Sequence, residues 1–234
     1  MNNSDFKKMY FYESIAESFD SMMNMYDTNK RLDVVFKELL NEDITDKKLL
    51  DAGCGTGWFS KVAVDRGAFV TSMDLGENLL AKVALKCRSE RLVGSILDIP
   101  CRDNEFDFIV SSEVIEHVPD PYRAMQELYR VLKPGGILVL TTPNKIWYFA
   151  IWIANTFKLR PYQGLEKWTG WYEMKRKLKR IGYTEIRLRG IHLFPFVSQK
   201  LYPVLNFFHR FNKSLGPVML NIAVKAKKPE EQPV

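Results

Sequence analysis

Asp51, Gly53, Gly55 and Gly57 close a short apolar run, Leu49-Leu50, and Asp74 ends a second one, Ala68 to Met73. A strand, a glycine-spaced turn, a helix from Trp58 and a second strand tipped by an acid make a nucleoside-binding βαβ unit. The glycines let the backbone turn tightly and approach a ligand, and the acid accepts hydrogen bonds from ribose hydroxyls. The spacing is G-x-G-x-G, not G-x-G-x-x-G, so the third glycine comes too early for a pyrophosphate seat on the helix. Asp51 at the strand end opposes a phosphate and favours an ammonium. A nucleoside with a cationic amino-acid tail therefore fits this turn better than a dinucleotide.

A second group lies in Ser111-Ser112-Glu113-Val114-Ile115-Glu116-His117. If Glu113 to His117 form one helical turn, Glu113, Glu116 and His117 share a face at i, i+3, i+4. Two chemistries then compete. His117 is a general base near neutral pH, taking a proton from a hydroxyl nucleophile, or the three residues are part of a hard-metal site that activates that hydroxyl. Cys54, Cys87 and Cys101 have no metal-like spacing, and an odd, sparse set of cysteines fits a reducing compartment. His192 and His209 read as ordinary surface or core histidines.

The elements that must position these groups alternate. Apolar spacing places helices over 6–25 and 30–41, and strands near 47–52, 68–74, 91–97, 106–112 and 136–142. Helices fall between them near 58–66, 77–88 and 121–132. Asp120-Pro121 gives an N-cap and first-turn proline, and Lys133-Pro134-Gly135-Gly136 ends that helix. Such alternation implies right-handed crossovers, a parallel sheet and a ligand at the carboxyl ends of the strands. Beyond 142 come an apolar aromatic run (146–157), too short for a bilayer span of about 20 residues, and a basic helix over 170–181 with Gly182 as its C-cap. A strand over 183–192, an aromatic basic segment (193–213) and a last strand over 218–227 complete the chain.

The 234 residues suffice for one domain with a full core. Charge is divided unevenly. Residues 1–144 hold 17 Lys/Arg against 23 Asp/Glu, a net −6, whereas 145–228 hold 17 against 3, a net +14. Such a split suggests an anionic partner for the C-terminal part. The opening residues lack a basic region followed by an apolar one, so a cytoplasmic location is expected.

Over residues 10–192 the chain resembles class I S-adenosylmethionine-dependent methyltransferases. The resemblance rests on LLDAGCGTG, on a Y-x-x-x-A-x-x-F-D helix with Tyr12, Ala16, Phe19 and Asp20, and on the fourth-strand motif EFDFIVSSEVIEHVPDP. It implies a Rossmann-like α/β fold: a seven-stranded, mostly parallel sheet with helices on both faces and an antiparallel last strand beside the fifth. It also implies one domain over 1–234: cofactor-covering helices (1–45), a cofactor-binding core (46–144), substrate-side insertions (145–182 and 193–217) and a tail (228–234). The implied cofactor is S-adenosylmethionine. Asp51, Gly53, Cys54, Gly55 and Gly57 take its methionine part, and Asp74 with Leu75 its ribose. Asp98, ending the third strand, takes the adenine amino group and the Ile99 amide the ring. Ser111 faces the sulfonium, and Tyr12 lies over the site.

E-x-x-E-H followed by Thr142-Pro143-Asn144 resembles ubiquinone-pathway O-methyltransferases, and also small-RNA 3′-terminal 2′-O-methyltransferases. In the RNA enzymes a further His after the fifth strand completes a metal site. Here Pro161 to Thr169 contains none, which disfavours a divalent metal and leaves Glu113, Glu116 and His117 as the catalytic candidates. The expected activity is methyl transfer, to an oxygen, on a small hydrophobic or lipid-linked acceptor. The alternatives are an RNA 2′-O-type methyltransferase, with nucleic acid the less favoured partner, and a non-catalytic cofactor-binding scaffold. Aromatics flanked by cations in 146–168 and 193–213 fit either an anionic membrane surface or the lining of a soluble acceptor pocket.

Overall fold

Successive residues of each central strand serve opposite helix layers, and this alternation builds the molecule. The computed structural model describes residues 11–156, 165–193 and 202–230. In it β1 (Lys48–Ala52), β2 (Phe69–Asp74), β3 (Glu90–Val93), β4 (Phe106–Ser112), β5 (Leu132–Pro143), β6 (Thr184–Ile191) and β7 (Asn221–Lys227) form one sheet in the order β3-β2-β1-β4-β5-β7-β6. Strands β1 to β5 pair in parallel. β7 runs antiparallel between β5 and β6, the insertion that the resemblance implies.

On one face Leu50, Ile109, Leu138 and Val224 pack against Met125, Leu128 and Val131 of a helix over Pro121–Val131, and against Met174 and Leu178 of one over Trp171–Ile181. On the other, Leu49, Val70, Phe108 and Val139 meet Phe59 and Ala63 of a helix over Trp58–Asp65, together with Val34, Val35, Phe36 and Leu39. Local signals set the helix ends. The Asp120 carboxylate accepts from the amides of Tyr122 and Arg123, both at 3.0 Å, with Pro121 in the first turn. Gly182, at φ +117°, ends the basic helix in the left-handed conformation.

Numbered in chain order, the helices are α1 (Phe11–Ser14), α2 (Phe19–Met22), α3 (Met25–Asp33), α4 (Trp58–Asp65), α5 (Glu77–Ala84), α6 (Pro121–Val131), α7 (Tyr148–Thr156), α8 (Trp171–Ile181) and α9 (Tyr202–His209). Several boundaries differ from the sequence reading. Of the expected helix over 6–25, residues 6–10 lie outside the described residues, and from Phe11 the chain makes two short helices, α1 and α2, instead of one continuous one. α3 is capped by Asn24, whose side chain accepts from the amides of Tyr26 and Asp27, and continues into a π-helix over Val34–Leu39. β3 ends at Val93 rather than at 97. β5 begins at Leu132, so Lys133 to Gly136 is an irregular stretch of strand, with Gly135 at φ +77° and its amide donating to the Lys228 carbonyl. Among the described residues, no helix is long and apolar enough to cross a membrane.

The strand order reverses beside β1, which has β2 on one side and β4 on the other. In open α/β sheets the crevice outside the carboxyl ends at such a point is where ligands bind. A cavity of about 390 Å³ lies there.

Candidate functional site

The glycine turn forms the floor of this cavity. Gly53, Gly55 and Gly57 all have positive φ (79°, 52° and 88°), a conformation that side chains penalise. Space demands glycine as well: a Cβ on Gly53 would lie 2.4 Å from Val114 Cγ2. The amides of Gly53 and Cys54 donate to the Met73 carbonyl at 2.8 and 2.9 Å, which ties the turn to the end of β2. Asp74, the last residue of β2, accepts from the Gly55 amide at 2.9 Å and the Gly76 amide at 3.3 Å. Burial raises the Asp74 pKa, and the amides of Gly55, Gly76 and Leu75 offset only part of that.

The N-terminal segment covers this floor through its acids. Glu13 accepts from the amides of Asn78 and Leu79 at the start of α5. Asp20 accepts from Thr56 Oγ1 and Trp58 Nε1 and pairs with Lys86. Tyr12 and Phe19 thereby line the cavity.

At the far end stand the acid and base groups. His117 Nδ1 lies 2.8 Å from the Leu165 carbonyl, which can only accept, so the neutral imidazole carries its proton on Nδ1. Nε2 then accepts from the Tyr12 hydroxyl at 3.2 Å. Glu113 is not helical; it has φ +57°, and its carboxylate accepts from Thr141 Oγ1 and Asn221 Nδ2, both at 2.8 Å. Only Ile115–His117 forms a helical turn. Glu116 accepts from Thr142 Oγ1 at 3.0 Å through Oε2. Its Oε1 has no hydrogen-bond partner and lies 3.8 Å from His117 Nε2. Burial pushes both Glu113 and Glu116 up to about 7, and Glu116 adds to the effect at Glu113. Glu113, Glu116 and His117 thus point to different partners, and no group of three acids, histidines or cysteines among the described residues is arranged to hold a metal ion.

Of the residues singled out in the sequence, Tyr12, Gly53, Cys54, Gly55, Asp74, Leu75, Glu113, Glu116 and His117 line the cavity. Five do not. Asp51 is buried beneath the turn, where its carboxylate accepts from Ser60 at 2.6 Å, and burial pushes it up to about 7. Gly57 starts α4 and faces Val83. Ser111 donates to the Ala52 carbonyl at 2.9 Å, because alternation along β4 turns Ser112 to the cavity instead. Asp98 is exposed, since β3 ends early and 95–98 make a turn, and the Ile99 amide donates to Glu127. Gly94 and Ile96 line that end instead.

The sequence reading missed Arg31, whose signal was the i, i+4 pair with Asp27. Its guanidinium lines the cavity and pairs with Asp27 at 2.8 Å. Burial works against its charge, but Asp27, Glu113 and Glu116 more than offset this and raise its pKa. Trp168, with a buried Nε1 that has no hydrogen-bond partner, also lines the cavity.

The raised carboxyls make a pH prediction. A carboxyl with a folded pKa above its unfolded value of 4.5 contributes stability that is complete below that value and lost as pH rises towards about 7. Between pH 5 and 7 the ligand-free protein should lose more stability than Glu116→Gln does. The difference should reach at most about 1.4 kcal/mol per pH unit, read from denaturant unfolding. Parallel pH profiles for the two proteins would remove the buried charge from Glu116.

Comparison with known proteins agrees with the geometry. A family model described as a methyltransferase domain matches residues 50–140. A malonyl-[acyl-carrier protein] O-methyltransferase of Serratia marcescens is 34% identical over 134 residues, covering 56% of this chain and 52% of that protein. A ubiquinone biosynthesis O-methyltransferase of Psychrobacter arcticus is 31% identical over 174 residues, covering 67% and 66%. The chain thus spans about half to two thirds of the length of these relatives. In fold it is similar to an S-adenosylmethionine-dependent methyltransferase from Thermotoga maritima, with TM-score 0.68, 17% identity and coverage of 94% of this chain and 98% of that one. It is also similar to phosphoethanolamine N-methyltransferase 2 of Haemonchus contortus solved with S-adenosylhomocysteine, with TM-score 0.66, 18% identity and coverage of 96% and 59%. With its switch-point cavity, glycine turn and strand-end acid, the chain belongs to the class I S-adenosylmethionine-dependent methyltransferases.

Proposed function

We propose that the chain methylates an oxygen of a small acceptor whose body is hydrophobic or lipid-linked. The observation that carries this reading is the His117 imidazole, fixed through Nδ1 with Nε2 accepting in the cavity beside the buried, unpartnered Oε1 of Glu116. A hydroxyl becomes a good nucleophile only as its proton leaves, and these are the atoms that can receive it or hold a neighbouring donor.

S-adenosylmethionine suits the rest of the cavity. Asp74 offers its carboxylate to ribose hydroxyls, and Arg31 offers a buried cation to the methionine carboxylate. The volume lies within the usual range of small-molecule sites, about 300–1,000 Å³. When bound, the cofactor supplies a methyl group already activated on sulfur. The chain must therefore hold the acceptor in line, exclude water and remove one proton. Tyr12 occupies His117 Nε2, so an acceptor hydroxyl either displaces the phenol or passes its proton through it.

The hydrophobic part of the reading rests on the rim. Around α7, Ile146, Tyr148, Phe149 and Trp152 are 53, 46, 57 and 66% exposed, and the Tyr148 ring packs edge-on to Trp168. On α9, Tyr202 stacks on Tyr26, next to the cavity-lining Asp27, while Val204 and Phe207 are exposed. The remainder of the two aromatic segments, 157–164 and 194–201, lies outside the described residues. The names of the Serratia and Psychrobacter relatives, an acyl-carrier and a ubiquinone-pathway O-methyltransferase, agree with a lipid-linked acceptor.

Three outcomes test this proposal. Asp74→Ala removes a charged acceptor worth about 1.5–3 kcal/mol, so calorimetry should show cofactor affinity falling by about tenfold or more in a folded protein; unchanged affinity would mean the turn has been misread. His117→Ala should lower turnover at least about a hundredfold with near-normal cofactor affinity and no response to chelators. Loss of activity on chelation, restored by magnesium, would instead favour a metal-assisted route. Finally, the protein should cosediment with anionic liposomes at low salt and detach as salt rises, each nearby cation adding about 1 kcal/mol. Joint change of Trp147, Tyr148 and Trp152 to Ser should weaken this. A wild type that ignores anionic liposomes leaves these aromatics as the lining of a soluble acceptor pocket.

A further inference from the structure

We propose that Glu127, Arg130 and Arg123 of α6 are positioning residues for the cofactor's nucleobase, holding the backbone of residues 96–101 in the shape that reads adenine. This rests on the reading that the base lies against Gly94 and Ile96, the cavity-lining residues beyond β3. No acidic side chain of that loop lines the cavity. Asp98 is exposed outside the cavity, and Ser95 Oγ accepts from the Leu97 amide at 3.2 Å. Discrimination of the base therefore falls on backbone groups and on shape, and both depend on where the loop is held.

α6 supplies that hold. The Ile99 amide donates to Glu127 Oε2 at 3.1 Å. Arg130 donates through Nη2 to the Ile99 carbonyl at 2.8 Å and through Nη1 to the Cys101 carbonyl at 2.9 Å. Arg123 Nε donates to the Leu97 carbonyl at 3.3 Å. Glu127, whose side chain is 3% exposed, also sits between the two guanidiniums, 3.1 Å from Arg123 and 2.8 Å from Arg130. The three residues occupy positions i, i+4 and i+7, one stripe of the helix, while Met125, Leu128 and Val131 anchor α6 in the core. The planar fork of Arg130 meets two carbonyls and the carboxylates of Glu127 and Asp103 at once, which a lysine cannot reproduce. At the other end of the loop Pro100 closes on Gly94, where an added Cβ would stand 2.7 Å from Pro100 Cδ. A shift of the loop therefore reaches the cavity wall directly.

The test compares wild type with Arg130→Lys, Arg130→Ala and the milder Arg123→Ala. It measures steady-state kinetics and calorimetric binding of S-adenosylhomocysteine and its base-altered analogue S-inosylhomocysteine. Circular dichroism and thermal melts identify the variants that fold. The expected result is a KM for S-adenosylmethionine raised tenfold or more in both Arg130 variants, with kcat at saturation within about twofold of wild type. Arg123→Ala should show a smaller rise of the same kind. Preference for the adenine over the inosine ligand should shrink in step. Unchanged affinity for S-adenosylhomocysteine in a folded Arg130→Ala overturns the proposal. An equal loss for the two ligands, with discrimination intact, overturns it too, because a merely structural role predicts that pattern. A wild type that binds neither ligand defeats the cofactor reading itself, a result distinct from failure of the clamp.

Discussion

Two amides on one carbonyl hold this molecule's working end together. Gly53 and Cys54 both donate to Met73, and the Gly55 amide goes to the side chain of the next residue, Asp74. These bonds require a backbone that swings through positive φ at alternate residues, which only glycine adopts without strain. The result is a rigid concavity where β1 and β2 end. Val114, leaving β4, packs so tightly against Gly53 that the exit of the fourth strand is fixed by the turn after the first. The chain reaches that seat through the left-handed Glu113 and leaves it in the short turn that presents Glu116 and His117. The glycine-turn end of the cavity and the end that holds Glu116 and His117 are therefore registered by contact between one glycine and one valine.

The covering segment obeys a different physics. α1 and α2 are too short to be stable alone, since isolated helices below about 12 residues are marginal in water. They bury no side chains of their own core. What holds them is a row of acids, each matched to a specific donor: Glu13 to the amides opening α5, Glu17 to Lys82, and Asp20 to Thr56, Trp58 and Lys86. Placing a carboxylate at the start of α5 also meets the partial positive charge of a helix N-terminus. Polar attachment of this kind depends on salt and can be undone locally, unlike the apolar contacts that bind the helix layers to the sheet.

The sheet was legible because its signals are local and redundant. Phe106 to Ser112 was placed to the residue, and the helix after Asp120-Pro121 announced its own start. The glycine turn and Asp74 were legible for the same reason: short-range backbone geometry demands their residue types. Failures came where tertiary packing overrode local pattern. Asp98 looked like a strand-end acid because Ser95-Ile96-Leu97 reads as strand, yet the chain turns at Ser95 and carries Asp98 out to solvent. Ser111 and Ser112 could be told apart only by the parity of β4 relative to the cavity. The i, i+3, i+4 reading of Glu113, Glu116 and His117 assumed a helix that Val114, seated on Gly53, does not permit. Arg31 escaped notice because two of the three carboxylates that act on it, Glu113 and Glu116, are distant in sequence. A charged residue on an amphipathic helix gives no local sign of being buried.

The insertion of β7 between β5 and β6 bears on the order in which the molecule is made. Asn221, the first residue of β7, holds the Glu113 carboxylate, and the carbonyls of Pro217 and Met219 fix the Asn144 side chain after β5. Domains tend to consolidate from the N-terminus as synthesis proceeds. A growing chain can complete the glycine turn, Asp74 and the strands around them once residue 112 is free to fold. The Glu113 and Asn144 side of the cavity has to wait for residues more than a hundred positions later. β5 meanwhile offers an open edge, a template for wrong partners until β7 arrives. Nascent chains thus pass through a stage in which the glycine turn is formed while the opposite side of the cavity is still unfinished.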